Sequence, residues 1–337
     1  MDDALTRRLL REAQASFGCK SEPALRNSQD LSCPYSTVSR IEIDCDGSPK
    51  AVYLKRIKDD GIGRDAARHR VLVEYQILTE LFGHFRTCRN RGVARPIAVF
   101  PEELSVVTEE VPGTVLAEMI GTFAKRYASA RRQATLEKYC TSAGAWLRAF
   151  QAHTTQGSGE FNIEGLMHYC DQRLDTLIAD GQSGIDAQFK EMFRSYLVRM
   201  HARSRGKVSI ITGRHNDFSP HNIIVNGERI SVIDFGFFDY DSPLYDVSKF
   251  WFQLECMKVS PLFRPSTIER LQNSFFAGYG AAFDHRDPAF ELVASRYFVT
   301  RLATMVKEGR RGGLRGWIDR RSYKWCLDWL TKRLEEA

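Results

Sequence analysis

No apolar run in the 337-residue chain approaches the roughly 20 residues that a membrane-spanning helix needs. The opening stretch, MDDALTRRLLREAQASFG, carries too much charge for the apolar segment of a secretory signal. It reads instead as an amphipathic helix with Leu5, Leu9, Leu10, Ala13 and Phe17 on one side. The eight cysteines, at 19, 33, 45, 88, 140, 170, 256 and 326, form no C-x-x-C pair, and no histidine falls at a Cys/His zinc spacing. A structural zinc module is thereby excluded, and the expectation is reduced thiols in a cytoplasmic protein. Internal repeats and low-complexity linkers are also lacking. What remains is 43% hydrophobic and 27% charged, the balance of a globular chain with room for one large domain or two ordinary ones.

The net charge of +6 is unevenly spread. Between Met305 and Lys324 seven basic residues (Lys307, Arg310, Arg311, Arg315, Arg320, Arg321, Lys324) face only Glu308 and Asp319. Such a cluster either attracts an anionic partner or is a solvated helix face. The same tail carries Leu314, Trp317, Ile318, Trp325, Trp329 and Leu330 at near-helical spacing. That pattern suits a helix packed on a core, with peripheral membrane contact through residues 305–337 as the alternative. A recognised nucleic-acid module is absent, so nucleic acid is not an expected partner.

Along the chain, STVSRIEI (36–43) and AVYLKRI (51–57) are β-prone runs separated by a turn cluster, a hairpin signal. Residues 64–82 have helical periodicity with Val71, Tyr75, Leu78 and Phe82 along one stripe. GVARPIAVF and LSVVTEEV look like two further strands. Beyond Pro112-Gly113 helical stretches dominate, from about 114 to 205 and from about 245 onward. The expectation is an α+β chain of two lobes, strand-rich over 1–110 and helical over 111–337, with a cleft between them.

The richest chemistry lies in HNDFSPHNIIVNGERISVIDFG, His215 to Gly236. NIIV-NG-ERISVID is two apolar runs around Asn226-Gly227, the favoured pair for a type I′ hairpin turn. A tight hairpin returns Asp234 to the side of Asn222. An amide and a carboxylate oxygen together suit Mg²⁺, which takes substrate phosphates as further ligands. Asp217 then remains to orient or deprotonate a hydroxyl.

H-x-D-x-x-x-x-N followed by D-F-G resembles the catalytic and metal loops of kinases. Its wording is most similar to the aminoglycoside phosphotransferase/choline kinase family of small-molecule kinases, and the resemblance extends over residues 36–250. It implies a bilobal protein-kinase-like fold, ATP as phosphate donor, and Mg²⁺ held by Asn222 and Asp234. Asp217 takes the catalytic role, and Lys55 of AVYLKR, paired with Glu74, takes the α/β-phosphates. By the same resemblance a short loop at Ser36 and Thr37 covers the phosphates, the backbone of Glu109 and Val111 meets the adenine edge, and His215 and Asp246 support the catalytic loop.

Two departures separate the chain from protein kinases. Asp246 follows Asp234 by twelve residues, leaving no room for an activation segment, and no A-P-E occurs. Ser219 stands two residues after Asp217, where the protein-serine kinase loop has lysine. A G-x-G-x-x-G before Lys55 is also missing. The reading is therefore a small-molecule or glycan kinase. Ten Lys/Arg against five Asp/Glu over residues 301–337 favour an anionic acceptor, such as a sugar of a cell-envelope glycan, over a cationic aminoglycoside or amino alcohol. A nucleotide-binding pseudokinase scaffold is the alternative from another class. The expected location is the cytoplasm, or the inner face of the membrane if the tail binds lipid.

Overall fold

The computed structural model describes residues 3–32, 36–59, 61–181, 183–204, 210–280, 286–308 and 313–336. The chain packs as two compact units, one of residues 1–116 with 221–238, the other of 117–220 with 239–337. The hairpin of the His215–Gly236 motif thus packs with the strand-rich unit, whereas the sequence boundary near 110 placed it with the helices.

The first unit begins with helix α1 (Asp3–Phe17), then strands β1 (Ala24–Ser32), β2 (Ser36–Cys45) and β3 (Ser48–Ile57), helix α2 (Arg64–Phe85), and strands β4 (Arg91–Val93), β5 (Pro96–Phe100), β6 (Ser105–Glu109) and β7 (Thr114–Val115). Five strands make an antiparallel sheet in the order β1-β2-β3-β6-β5. Leu5, Leu9 and Ala13 of α1 are buried in one core with Ile41, Ile43, Val52, Leu54, Ile97 and Val107 of the strands. Each buried leucine contributes roughly 2 kcal/mol by leaving water. Leu10 and Phe17 flank this core, half-buried. On α2 the buried stripe is Ala67, Val71, Glu74, Ile77, Leu78, Leu81 and Phe85; Tyr75 and Phe82, expected on it, are only half-buried.

The second unit holds helices α3 (Leu116–Phe123, whose first residue belongs to the other unit), α4 (Ala130–His153), α5 (Ile163–Asp180) and α6 (Ala187–Arg203), strands β8 (Gly157–Ser158) and β9 (Ile210–Arg214), and, after the excursion of residues 221–238, further elements. That excursion supplies β10 (Ile223–Asn226) and β11 (Arg229–Val232), which pair in a second sheet of the first unit, ordered β4-β11-β10-β7. The second unit then adds β12 (Asp239–Asp241) and helices α7 (Leu244–Glu255), α8 (Pro265–Tyr279), α9 (Pro288–Glu308) and α10 (Gly313–Glu336). Helix starts are capped by side chains: Asn162 accepts from the Gly165 N–H and Asp186 from the Phe189 N–H, both at 2.8 Å. The core is aromatic, with Trp146, Phe150, Phe193, Phe250, Phe275, Phe290 and Phe298 fully buried.

Two of the three tail tryptophans pack on this core, whereas Trp317 is exposed. Trp329 stacks on Phe298 at 3.8 Å between centroids, and Trp325 lies 5.2 Å from the same ring. Of the basic cluster, the side chains of Lys307, Arg310, Arg311 and Arg315 lie outside the described residues; Arg321 rests on Trp317. Among the described residues no helix is long and apolar enough to cross a membrane.

One expectation fails outright. Cys19 and Cys45 form a disulfide rather than reduced thiols. The turn after α1 brings Cys19 to the end of β2, where the Lys20 and Ser21 N–H groups donate to the Asp46 carboxylate at 2.6 and 3.0 Å. Cys88, Cys140, Cys170, Cys256 and Cys326 are free thiols; Cys33 lies outside the described residues.

Candidate functional site

The motif residues occupy two clusters, one in each unit. In the first unit the register pairs Ile223 with Val232 and Asn226 with Arg229, so the connecting residues of the hairpin are Gly227 and Glu228. Gly227 has φ +61° and Glu228 does not share it. Positive φ at the first connecting residue alone is the type II′ pattern, in place of the expected I′ turn on Asn226-Gly227. The open end is unaffected: the Ile233 N–H donates to the Asn222 carbonyl at 3.0 Å, so Asn222 and Asp234 leave the hairpin side by side. Asp234 has φ +68°, a left-handed conformation that aspartate tolerates better than most residues, and it turns the chain out of the strand direction.

Lys55 stands on the face of β3 opposite to Val52 and Leu54, as strand alternation requires. Its Nζ donates to both oxygens of Glu74 at 3.0 Å and to Asp234 Oδ1 at 2.5 Å. Glu74 is 2% exposed, and a carboxylate so buried needs such a partner. Burial by itself would lower the Lys55 pKa; the charges and hydrogen bonds of Glu74 and Asp234 outweigh it and hold the ammonium above its ordinary value. A Cβ on Gly236 would lie 2.7 Å from Lys55 Nζ and 3.2 Å from Glu74 Oε2. Glycine in D-F-G lets the ion pair approach the backbone here, where a methyl would push the Lys55 ammonium aside.

The other first-unit candidates differ from expectation or sit apart. Ser36 and Thr37 form no loop; they are strand residues of β2, paired with Ile57 and Arg56, and Ser36 is buried. The β1–β2 connection, residues 33–35, lies outside the described residues. Glu109 ends β6 and gives its N–H to the Arg95 carbonyl at 2.8 Å; Val111 follows, half-buried.

In the second unit the catalytic-loop sequence follows β9. Asp246 of α7 accepts from the His215 N–H at 2.7 Å and the Asn216 N–H at 2.9 Å. Asn216 takes φ +65°, and the Asp217 N–H donates to His215 Nδ1 at 3.3 Å. The acceptor role of Nδ1 leaves the proton of the neutral ring on Nε2. Phe218, fully buried, anchors the loop among Trp146, Phe250 and Phe275. Burial pushes the Asp246 carboxyl up to about 6, against the opposing pull of His215, Arg214 and the two backbone N–H groups. The Asp217 side chain is 40% exposed, and Lys249 of α7 lies against it, Nζ to Oδ1 3.0 Å.

The sequence reading passed over Lys249 and Gly236. The signal for Lys249 was present: three residues after Asp246 on a helix, it shares the face that serves the loop. Also in this unit, Arg296 of α9 lies against the rings of Tyr169, Tyr245 and Tyr297, and Lys249 lies 5.4 Å from the Tyr297 ring. Arg214 is neutralised by Asp239 and Asp241, whereas the Arg296 Nε finds no hydrogen-bond partner among the described residues.

Among the described residues no three His, Cys, Asp or Glu side chains gather as a metal cage. Asn222 and Asp234 nevertheless fit a hard divalent cation that takes most of its ligands from phosphate and water. Both offer oxygen, their backbones are adjacent, and the Asp234 carboxylate already carries a cation in the Lys55 ammonium.

Comparison with known proteins bears on the fold and on the family. No curated protein matches the chain in sequence. Its backbone is similar to that of an aminoglycoside phosphotransferase, APH(2'')-IIa, in complex with streptomycin and ATP (13% identity, 91% of this chain and 93% of that one, TM-score 0.54). It is similar to the choline kinase LicA from Streptococcus pneumoniae (14% identity, 97% and 99%, TM-score 0.54). A choline/ethanolamine kinase family protein from Mesorhizobium loti gives 16% identity over 99% and 98% of the two chains, with TM-score 0.55. At such identities the likeness shows the fold, which is the protein-kinase-like one. The sequence itself matches the family model APH, the phosphotransferase enzyme family, over residues 57–288, a span that opens two residues past Lys55 and includes every loop residue from His215 to Asp246. With that match covering more than half of its length, the chain belongs to the APH phosphotransferase family.

Proposed function

We propose that this phosphotransferase moves the γ-phosphoryl group of ATP to a hydroxyl of a small anionic acceptor, a sugar or a cell-envelope glycan. The observation that carries the nucleotide half of the reading is the three-way contact of Lys55 with Glu74 and Asp234 beneath Gly236. It fixes an ammonium for the α/β-phosphates next to a carboxylate suited to Mg²⁺. Asn222 and Asp234 hold the Mg²⁺, which when bound neutralises charge on the phosphate oxygens. Glu109 and Val111 line the nucleotide in this reading, through their backbone. The complex of a similar protein with ATP, and those of others with ADP and AMP-PNP, support the choice of nucleotide.

Asp217 orients the acceptor hydroxyl and takes its proton. The acceptor oxygen bonds to the γ-phosphorus as the bond to the β–γ bridging oxygen breaks, and that electron pair leaves on ADP. His215 and Asp246 hold the loop that carries Asp217. Most of the rate comes from positioning and charge, so few side chains suffice.

An anionic acceptor is favoured by a cation of the second unit, Arg296 among three tyrosines. The streptomycin and choline of the related proteins are cations, and the corresponding alternative here is an aminoglycoside or amino alcohol. Membrane association through the tail draws no support from Trp325 and Trp329, which are committed to Phe298. The test is ATP consumption with Mg²⁺ against pooled acceptors: sugars and envelope glycan fragments, aminoglycosides, amino alcohols. Turnover is expected with an acidic sugar pool, and Asp217→Ala is expected to bind ATP but transfer nothing. Unchanged transfer by Asp217→Ala refutes the assignment, and ATP binding without turnover in any pool favours the scaffold.

A further inference from the structure

We infer that Lys249 is the cation that serves the transferring phosphoryl group. The inference rests on the functional reading above, in which Asp217 receives the acceptor hydroxyl. Ser219, two residues after Asp217, is 3% exposed and brings no charge. A loop that lacks a cation of its own still faces the demand of the chemistry, because negative charge spreads over the equatorial phosphoryl oxygens in the transition state.

Lys249 meets that demand from another element. It is a side chain of α7, one helical turn after Asp246, whose carboxylate ties the same loop by two backbone N–H groups. Its ammonium lies 3.0 Å from Asp217 Oδ1 and is largely shielded from water, 18% of the side chain being exposed. The Tyr297 ring flanks it at 5.4 Å, and the Tyr297 hydroxyl is held by the Tyr245 carbonyl at 2.9 Å. The cation is therefore confined beside the base. A hydroxyl within hydrogen-bond reach of Asp217 stands about 3 Å from the carboxylate, with phosphorus about 3–3.5 Å beyond. An ammonium already on that carboxylate reaches the phosphoryl oxygens by a small swing of a four-carbon stem. No proton passes through Lys249: it pairs with Asp217 before the acceptor binds and with the phosphoryl oxygens during transfer.

The test needs no knowledge of the acceptor. Affinity for ADP with Mg²⁺, alone and with aluminium fluoride as a mimic of the transferring group, is measured for wild type, Lys249→Met, Lys249→Gln and Lys249→Arg. The wild type is expected to bind the fluoride complex more tightly than ADP. Loss of the cation should remove about 100-fold of that affinity, the scale of removing one donor to developing charge. Affinity for ADP alone should stay within about twofold in every variant. Lys249→Arg keeps the charge and should retain most of the gain. Lys249→Gln keeps a hydrogen bond to Asp217 without charge, and serves if Lys249→Met does not fold. A fluoride gain that survives in both neutral variants overturns the inference, as does its absence from a wild type that binds ADP. A wild type that binds no ADP fails at the functional reading instead and takes the inference with it.

Discussion

Replacing Asp246 by asparagine should change how stability depends on pH. The carboxyl is fully buried and its pKa stands at about 6, raised first by burial. The unfolded chain releases this proton near 3.8. Between those values the folded state binds more proton than the unfolded state, so stability falls as pH rises through the window. A shift of about two units is worth about 3 kcal/mol, all of it lost by about pH 7 and roughly half of it lost between pH 5 and pH 8. Asp246→Asn does not titrate and escapes that loss. It has a separate, pH-independent cost. The two backbone N–H groups of His215 and Asn216 each require an acceptor, and the amide offers one oxygen and sets its NH₂ against the other donor, about 1–3 kcal/mol. Urea unfolding of wild type and variant at pH 5 and pH 8 separates the two effects. The variant should be clearly less stable at pH 5 and should recover about 1.5 kcal/mol relative to wild type at pH 8. Parallel curves for the two proteins would refute the buried, proton-holding carboxyl.

Three further outcomes follow from the first unit. Gly236→Ala sets a methyl 2.7 Å from Lys55 Nζ. The flexible side chain can yield, so thermal stability should change by less than about 1 kcal/mol while turnover falls about tenfold or more; a variant of normal turnover would count against the Lys55 role. Lys55→Met leaves Glu74, 3% exposed in its side chain, without its cation and should cost about 3–5 kcal/mol. Combining it with Glu74→Leu should recover most of this, read by denaturant midpoints; an unrecovered double variant would locate the loss elsewhere. Cys19→Ser opens a link between residues 26 apart in sequence, with an expected loss of about 3.5 kcal/mol from chain entropy. Reductant should destabilise wild type alike and leave the variant unchanged, and an equal response of both would argue against the disulfide.

Much of this architecture is written in local patterns. The Leu5, Leu9 and Ala13 stripe, the β2–β3 hairpin and the His215–Gly236 motif are short-range signals, and each has its counterpart in the fold. What was not legible depends on distant partners. β1 went unseen because its residues from Ala24 to Leu31 are exposed, with a polar run at a sheet edge in place of an alternating one. The Cys19–Cys45 bond has no spacing rule to announce it. The II′ turn differs from the expected I′ turn by one residue of register, which a dipeptide preference cannot resolve. Ser36 was put in a phosphate-covering loop by the resemblance alone, although it opens the β-prone run 36–43, and it sits buried opposite Ile57. Lys55 and Glu74, nineteen residues apart, were paired through the resemblance to kinases, and the structure joins them.

The hairpin that sets Asn222 beside Asp234 also carries a chemical clock. Asn226 and Gly227 are both exposed at its tip, and glycine leaves its own backbone nitrogen unshielded against the preceding asparagine side chain. Attack by that nitrogen closes a succinimide and expels ammonia. Hydrolysis then yields aspartate or isoaspartate, the latter with one extra carbon in the main chain. In a two-residue connection an added atom has nowhere to go but the register of the strands. Protein aged at alkaline pH should therefore lose phosphotransferase activity in step with isoaspartate content while its helices remain folded. Freshness of the preparation becomes a variable of every assay.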